Sequence, residues 1–197
     1  MATVSEAWKS IVSWLEANVP DSVELLQGPV AESDLADAEA KTGLTFPADL
    51  KELFLTCNGN DANQESIGLF PSADDFDEMA YGPLELKQAL SEWGIQKELL
   101  DGGDFEGEEA DSEAGVADAW WLTGWFPFGS NGGGDLYCVD TAPAEGGTVG
   151  QVITHSHESG EHRILAPSLA AYLSDLAEGL AAGKFKYDEM WGMTPAD

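Results

Sequence analysis

Positive charge is what this chain lacks most. Eight Lys and Arg stand against 37 Asp and Glu in 197 residues, a formal net charge of −29 at pH 7. No Lys or Arg lies between Trp120 and Arg163. Binding to DNA, RNA or an anionic membrane surface works through clustered Lys and Arg that replace counterions, so the deficit disfavours all three. A cationic partner is favoured instead, although the same acidity also serves solubility or a saline habitat. Cysteine is nearly absent: Cys57 and Cys138 both sit in apolar surroundings and make no disulfide framework. Two buried reduced thiols and a cytoplasmic location are expected, and a bridge between the two depends on a Cα separation that sequence does not supply. No apolar run approaches the length of a membrane span, and the N-terminus MATVSEAWKSIVSW lacks a basic stretch leading into an apolar one, so neither a spanning helix nor a secretory leader is expected.

Apolar material, by contrast, is ample. Hydrophobic residues make up 43% and aromatics 10%, with seven Trp, enough for a packed core. One domain over residues 1–197 is expected at this length. Val4, Trp8, Ile11 and Leu15 recur at helical spacing and predict a helix over 4–18. A second helix is expected from Ser33 as N-cap, with Asp34 and Asp37 at the positive end of its dipole, stopping at Gly43. Pro47 suits the first position of a third, with Leu50, Leu53 and Phe54 inward and Asn58-Gly59 as the turn after it.

A short strand is expected at 67–70, an acidic loop with Asp74, Asp75, Asp77 and Glu78, and a helix over 83–93 burying Leu86, Leu90 and Trp93. Residues 101–118 hold eight acids and no base, and so read as a mobile loop or insertion. The aromatic and β-branched stretches 119–129, 135–140 and 150–157 predict an antiparallel meander. A closing helix follows Pro167, with Leu169, Tyr172, Leu173, Leu176 and Leu180 on one stripe. Helices, then strands, then a helix give an α+β fold: a mostly antiparallel sheet with helices packed against it.

The sequence WFPFGSNGGGDLYCVD, residues 125–140, holds the main candidate chemistry. A phosphate cradle needs backbone N–H groups opening a helix, usually with a Lys. Here the glycines lead to Asp135 and a strand. A nucleophile elbow needs G-x-S-x-G before a helix; Ser130 misses the spacing and the helix. Asn131, Asp135 and Asp140 are too sparse for a calcium loop. A turn in which Asn131 and Asp135 cap the backbone is the simpler account. His155, His157 and His162 could converge on zinc if a hairpin returned the third to the first two, but three ligands without a cysteine or a placed acid form a poor metal pattern. No metal or other cofactor is expected. Trp120, Trp121 and Trp125 cannot all face inward on one strand, so at least one is expected to meet solvent.

Taken in order, these motifs resemble the SUKH superfamily in its SMI/KNR branch. They are the helix with Trp8, Ile11, Trp14 and Leu15, then Glu39 with Phe46-Pro47, then Asn58-Gly59, then residues 125–140 and the final helix. The resemblance spans roughly residues 8–185. It implies a sheet with packed helices and a groove, and non-catalytic members of two kinds: bacterial immunity proteins that neutralise toxins, many of them nucleases, and fungal regulators of cell-wall assembly that act as interaction hubs. Joined to the charge, it makes an immunity protein that occludes a basic toxin domain the leading expectation, with a regulatory scaffold as the alternative. The contact residues expected are the loop acids Asp74, Asp75, Asp77, Glu78, Asp104, Glu106, Glu108, Glu109, Asp111 and Glu113, with Asp135, Asp140 and Trp125 at the groove. On this reading the glycine loop is a scaffold turn at the groove's edge.

Overall fold

The computed structural model describes residues 2–61, 67–73 and 79–196. It opens with four helices: α1 (Val4–Asn18), α2 (Pro20–Val23), α3 (Glu32–Thr42) and α4 (Ala48–Thr56). Thr3 caps α1, its hydroxyl accepting from the Glu6 N–H while Glu6 reaches back to the Thr3 N–H. The α3 cap lies two residues before the expected one. Ala31 occupies it, because the Asp34 carboxylate accepts the Ala31 N–H at 2.9 Å and leaves Ser33 inside the first turn. Pro47 is likewise the cap of α4, one position ahead of its expected place. Gly43 ends α3 at φ +74°, as expected.

Next come β1 (Gly82–Pro83), α5 (Leu86–Gly102), β2 (Asp111–Ser112), β3 (Trp125–Ser130), β4 (Leu136–Asp140), β5 (Gln151–His155), β6 (Glu161–His162) and β7 (Ile164–Ala166). The chain closes with α6 (Leu169–Ala181) and a hairpin, β8 (Phe185–Asp188) and β9 (Gly192–Pro195). A five-stranded sheet runs in the order β1-β3-β4-β5-β7 with every pairing antiparallel. The fold is therefore α+β.

Every residue of β4 is buried, so the sheet has no solvent face at its centre. Phe126, Phe128, Tyr137 and Val139 share one side. Phe126 packs on Phe46 and Phe54, at ring distances of 4.5 and 6.4 Å, and Phe128 and Tyr137 meet Tyr172 of α6 at 6.0 Å. The other side carries Trp125, Cys138, Asp140, Ile153 and His155, and residues 111–124 lie over it. Cys57 and Cys138 are buried free thiols.

Four expectations change. Residues 67–70 form no strand: Leu69 and Phe70 both donate to the Tyr81 carbonyl, one bridge results, and Pro71 has no N–H to continue it. α5 runs on to Gly102, where Gly103 at φ +82° closes it and its N–H bonds the Leu100 carbonyl. Residues 119–124 are turns, so Trp121 packs across Trp125 at 5.6 Å instead of continuing its strand. The acidic run is fixed in place. β2 pairs in parallel with β6, Arg163 binds Asp111 at 2.7 Å and Glu161 at 2.8 Å, and Glu113 accepts the Ile164 N–H. Pairing partners some fifty positions away supply the order that its composition does not.

Two of the motif pieces act as joints. Glu39 accepts the Phe46 N–H at 2.7 Å and pairs with Lys51 at 2.9 Å, fixing the α3–α4 corner. The Lys51 and Phe46 contacts hold its carboxyl below the usual range. Asn58 Oδ1 accepts the Leu86 N–H at 2.8 Å, and Gly59, at φ +66°, lies where a Cβ would come within 2.3 Å of the Leu84 carbonyl group. Gly59→Ala is therefore expected to cost at least about 3 kcal/mol in urea unfolding, through collision. Gly43→Ala, with a similar φ and nothing within 4 Å of its Cβ, should cost about 1–2 kcal/mol from conformation alone. Equal losses at the two sites would show that the Gly59 contact is not tight.

Candidate functional site

A groove of about 580 Å³ opens at the β1 edge of the sheet. Its walls come from six separate stretches: α2 and Leu25, the chain at Asn60 and Asp61, Gly68, residues 79–84 with Gln88 and Glu92 of α5, the glycine loop at Ser130, Asn131 and Gly132, and the C-terminal hairpin from Tyr187 to Gly192. The hairpin is held by backbone. Ala80 donates to the Trp191 carbonyl at 2.9 Å and Met193 to the Gly68 carbonyl at 2.8 Å. Gly192, at φ +78°, lies so close that a Cβ would meet Gly68 O at 2.6 Å.

The glycine loop is a set of Asx and Ser turns. Asn131 Oδ1 accepts the Gly133 and Asp135 N–H groups at 2.8 and 3.1 Å, and Ser130 Oγ accepts the Gly132 N–H at 3.0 Å. Asp135 takes the His157 N–H and faces its Nδ1, each at 2.9 Å. Burial raises the Asp135 pKa, but the His157 bonds outweigh that and hold the carboxyl below its usual range. The loop thus forms one rim of the groove with its own side chains engaged.

The expected contact residues scatter. Asp74, Asp75, Asp77 and Glu78 lie outside the described residues. Asp104, Glu106, Glu108, Glu109, Asp111 and Glu113 are exposed, but they do not line the groove. They follow the far end of α5, roughly 15 Å along the helix from Glu92. Trp125 and Asp140 are corrected: both are 0% exposed and unable to meet a partner. They are opposite each other on β3 and β4, on the covered side of the sheet. Asp140 accepts the Ala142 N–H and the Gln151 amide at 2.9 Å each, and Gln151 also donates to the Gly115 carbonyl. Burial pushes the Asp140 carboxyl up. Asp135 is half-buried and spent on the loop.

The three histidines also part company. His155 and His162 stack at 5.3 Å inside an aromatic box with Trp121 and Trp125, 1% and 0% exposed respectively, while His157 sits outside with Asp135. Among the described residues no group of three His, Cys, Asp or Glu is placed to hold a metal. The thiols are poor nucleophiles, since burial pushes Cys57 up to about 11 and Cys138 well above its ordinary value.

What sequence reasoning missed is the groove itself. Asp21, Asp61, Glu92 and Glu189 line it beside Met79, Met190 and Trp191, which are 41%, 76% and 38% exposed. Among the described residues its lining contains no His, Cys, Lys or Arg, so the titratable groups there are carboxylates and the Tyr187 phenol. The arrangement suits binding. The hairpin did leave a signal, in the alternation of FKYD before a turn that Asp188 caps through the Met190 and Trp191 N–H groups.

The sequence model of the SMI1/KNR4 family (SUKH-1) matches residues 29–175. The chain belongs to that family. It is 25% identical to the glucan synthesis regulatory protein of Neurospora crassa, over 94% of this chain and 40% of that protein. It is 23% identical to a KNR4/SMI1 homolog of Yarrowia lipolytica, over 98% of this chain and 33% of that one. The cell wall biosynthesis/cell cycle regulator smi1 of Schizosaccharomyces pombe is 25% identical over 94% of this chain and 38% of its own length. The chain thus spans well under half the length of these curated relatives.

His155 gives the covered side of the sheet a measurable signature. Burial, then the neighbouring His162, pushes its imidazole down to about 3. The unfolded chain takes up that proton near pH 6.5 while the folded one refuses it, so stability present above that pH is lost as pH falls, by up to about 1.4 kcal/mol per unit. His155→Phe, which removes the titrating group and keeps a ring in the box, should lose less of its urea midpoint than the parent between about pH 7 and pH 5. Parallel losses in the two proteins would contradict a buried neutral imidazole.

Proposed function

We propose, from membership of the SMI1/KNR4 family, that this chain is a non-catalytic binding module with a regulatory role, acting by holding other proteins. The carrying observation is that three relatives from three fungi, matched over nearly the whole of this chain, are two regulators of glucan synthesis or cell-wall biosynthesis and a homolog of KNR4/SMI1. The site chemistry supports the reading. The groove brings carboxylates, thioethers and an indole together, a lining suited to mixed polar and apolar contacts. No described helix is long and apolar enough to cross a membrane, in keeping with a module that works from the cytoplasm. The charge of −29 favours protein partners over nucleic acid.

That charge also favours a second reading, an immunity protein for a basic toxin domain, because opposite net charges speed encounter by long-range attraction. Residues 104–113 remain an acidic surface suited to such steering. Affinity capture from the source cells, with the intact chain as bait and quantitative mass spectrometry, separates the two. A regulatory module should retain several partners and show no turnover. One basic nuclease-like partner, held in a complex that weakens as salt is raised, would replace the regulatory reading with the immunity one, and capture of no protein at all would remove both.

A further inference from the structure

The groove's composition narrows its occupant, on the reading that the chain binds proteins. Among the described residues its lining holds four carboxylates, Asp21, Asp61, Glu92 and Glu189, and no Lys or Arg. Glu92 is half-buried on the inner turn of α5, with no hydrogen bond or ion pair recorded among the described residues. Its burial alone raises the carboxyl above the usual range. A desolvated carboxylate without a counter-charge is a destabilised group that an incoming cation relieves. The exposed Met79, Met190 and Trp191 line the same groove. Thioethers adapt to varied apolar shapes, and an indole face accepts both apolar groups and cations.

We propose that this groove docks a segment of a partner protein in which Lys or Arg alternates with apolar side chains. The cations meet Glu92 and Glu189, and an apolar anchor packs between Met79 and the Met190–Trp191 tip of the hairpin. A volume of about 580 Å³ admits a few side chains of an extended or helical segment, not the body of a domain. A second copy of this chain is opposed by its own −29 charge. Nucleic acid is opposed by the same carboxylates. The C-terminal hairpin is thereby a binding element, held over the groove by the approach of Gly192 to Gly68.

Fluorescence anisotropy with three labelled peptides of roughly twelve residues tests this. One alternates Lys with Leu, one Glu with Leu, one Lys with Ser. The intact chain should bind the Lys/Leu peptide at least about tenfold more tightly than either of the others. Glu92→Gln with Glu189→Gln, and separately Met190→Ser with Trp191→Ser, should each weaken Lys/Leu binding about tenfold. Glu108→Gln with Glu109→Gln removes the same charge beyond the far end of α5 and should change it less than about twofold. Equal weakening by the two charge pairs, or Lys/Ser binding as tight as Lys/Leu, would reduce the effect to overall acidity and overturn the groove assignment. If a captured cellular partner is retained in full by both groove variants, the groove assignment fails while the binding reading stands. If the parent captures nothing, both fail.

Discussion

Burial of β4 on both faces is the constraint from which the rest of this structure follows. All five of its residues are inside, and β3 is buried along five of its six. A sheet so placed cannot leave one side to water, as antiparallel sheets often do, and each side must find a cover. Helices α4 and α6, with Phe46 just ahead of α4, supply one through the rings of Phe46, Phe54 and Tyr172. The other is covered by an irregular stretch, residues 111–124, which has no helix to give it shape. It is held instead at its margins, by Arg163 on Asp111, by Gln151 on Gly115, and by the Trp93 indole donating to Thr123.

This arrangement explains how so acidic a chain folds. Of the acids in the described residues, only Asp140 is fully buried, and it meets an amide and a backbone N–H. Most of the others sit at the margins, where water screens them, while Asp135 is held by His157 and Glu92 stays half-buried in the groove. Where the acidic run covers the sheet, it contributes Val116 and Trp121 to the core and turns its carboxylates outward or onto Arg163 and the Ile164 N–H. The single Arg between Lys97 and Lys184 stands at the crossing of β2, β6 and β7, where three acids gather. Scarcity of bases makes that one ion-pair cluster structural.

The family's motifs gain a physical meaning from these contacts. Glu39 with Phe46 is a corner, Asn58-Gly59 is a close crossing of α4 and the start of α5, and residues 125–140 are two strands joined by a turn that closes on its own side chains. They place the walls of a groove whose carboxylates, methionines and tryptophan come from positions between and beyond them, including the hairpin after residue 184 that lies outside the stretch matched by the family model.

Local pattern alone was enough to find α1, α3, α4 and α6, the α+β order and the turn at Asn131, because apolar spacing, caps and Asx geometry act within a few residues. Buried thiols at Cys57 and Cys138 were legible in the same way, from their apolar neighbours. The fate of Trp125 and Asp140 was not, since alternation along a strand says which residues share a face but not whether a distant segment covers it. The order of residues 101–118 depended on a strand fifty positions later, and the groove on six stretches that meet only after the hairpin docks. Those were decided by tertiary packing, where the partners of a group are set by the fold's pairings and not by its neighbours in the chain.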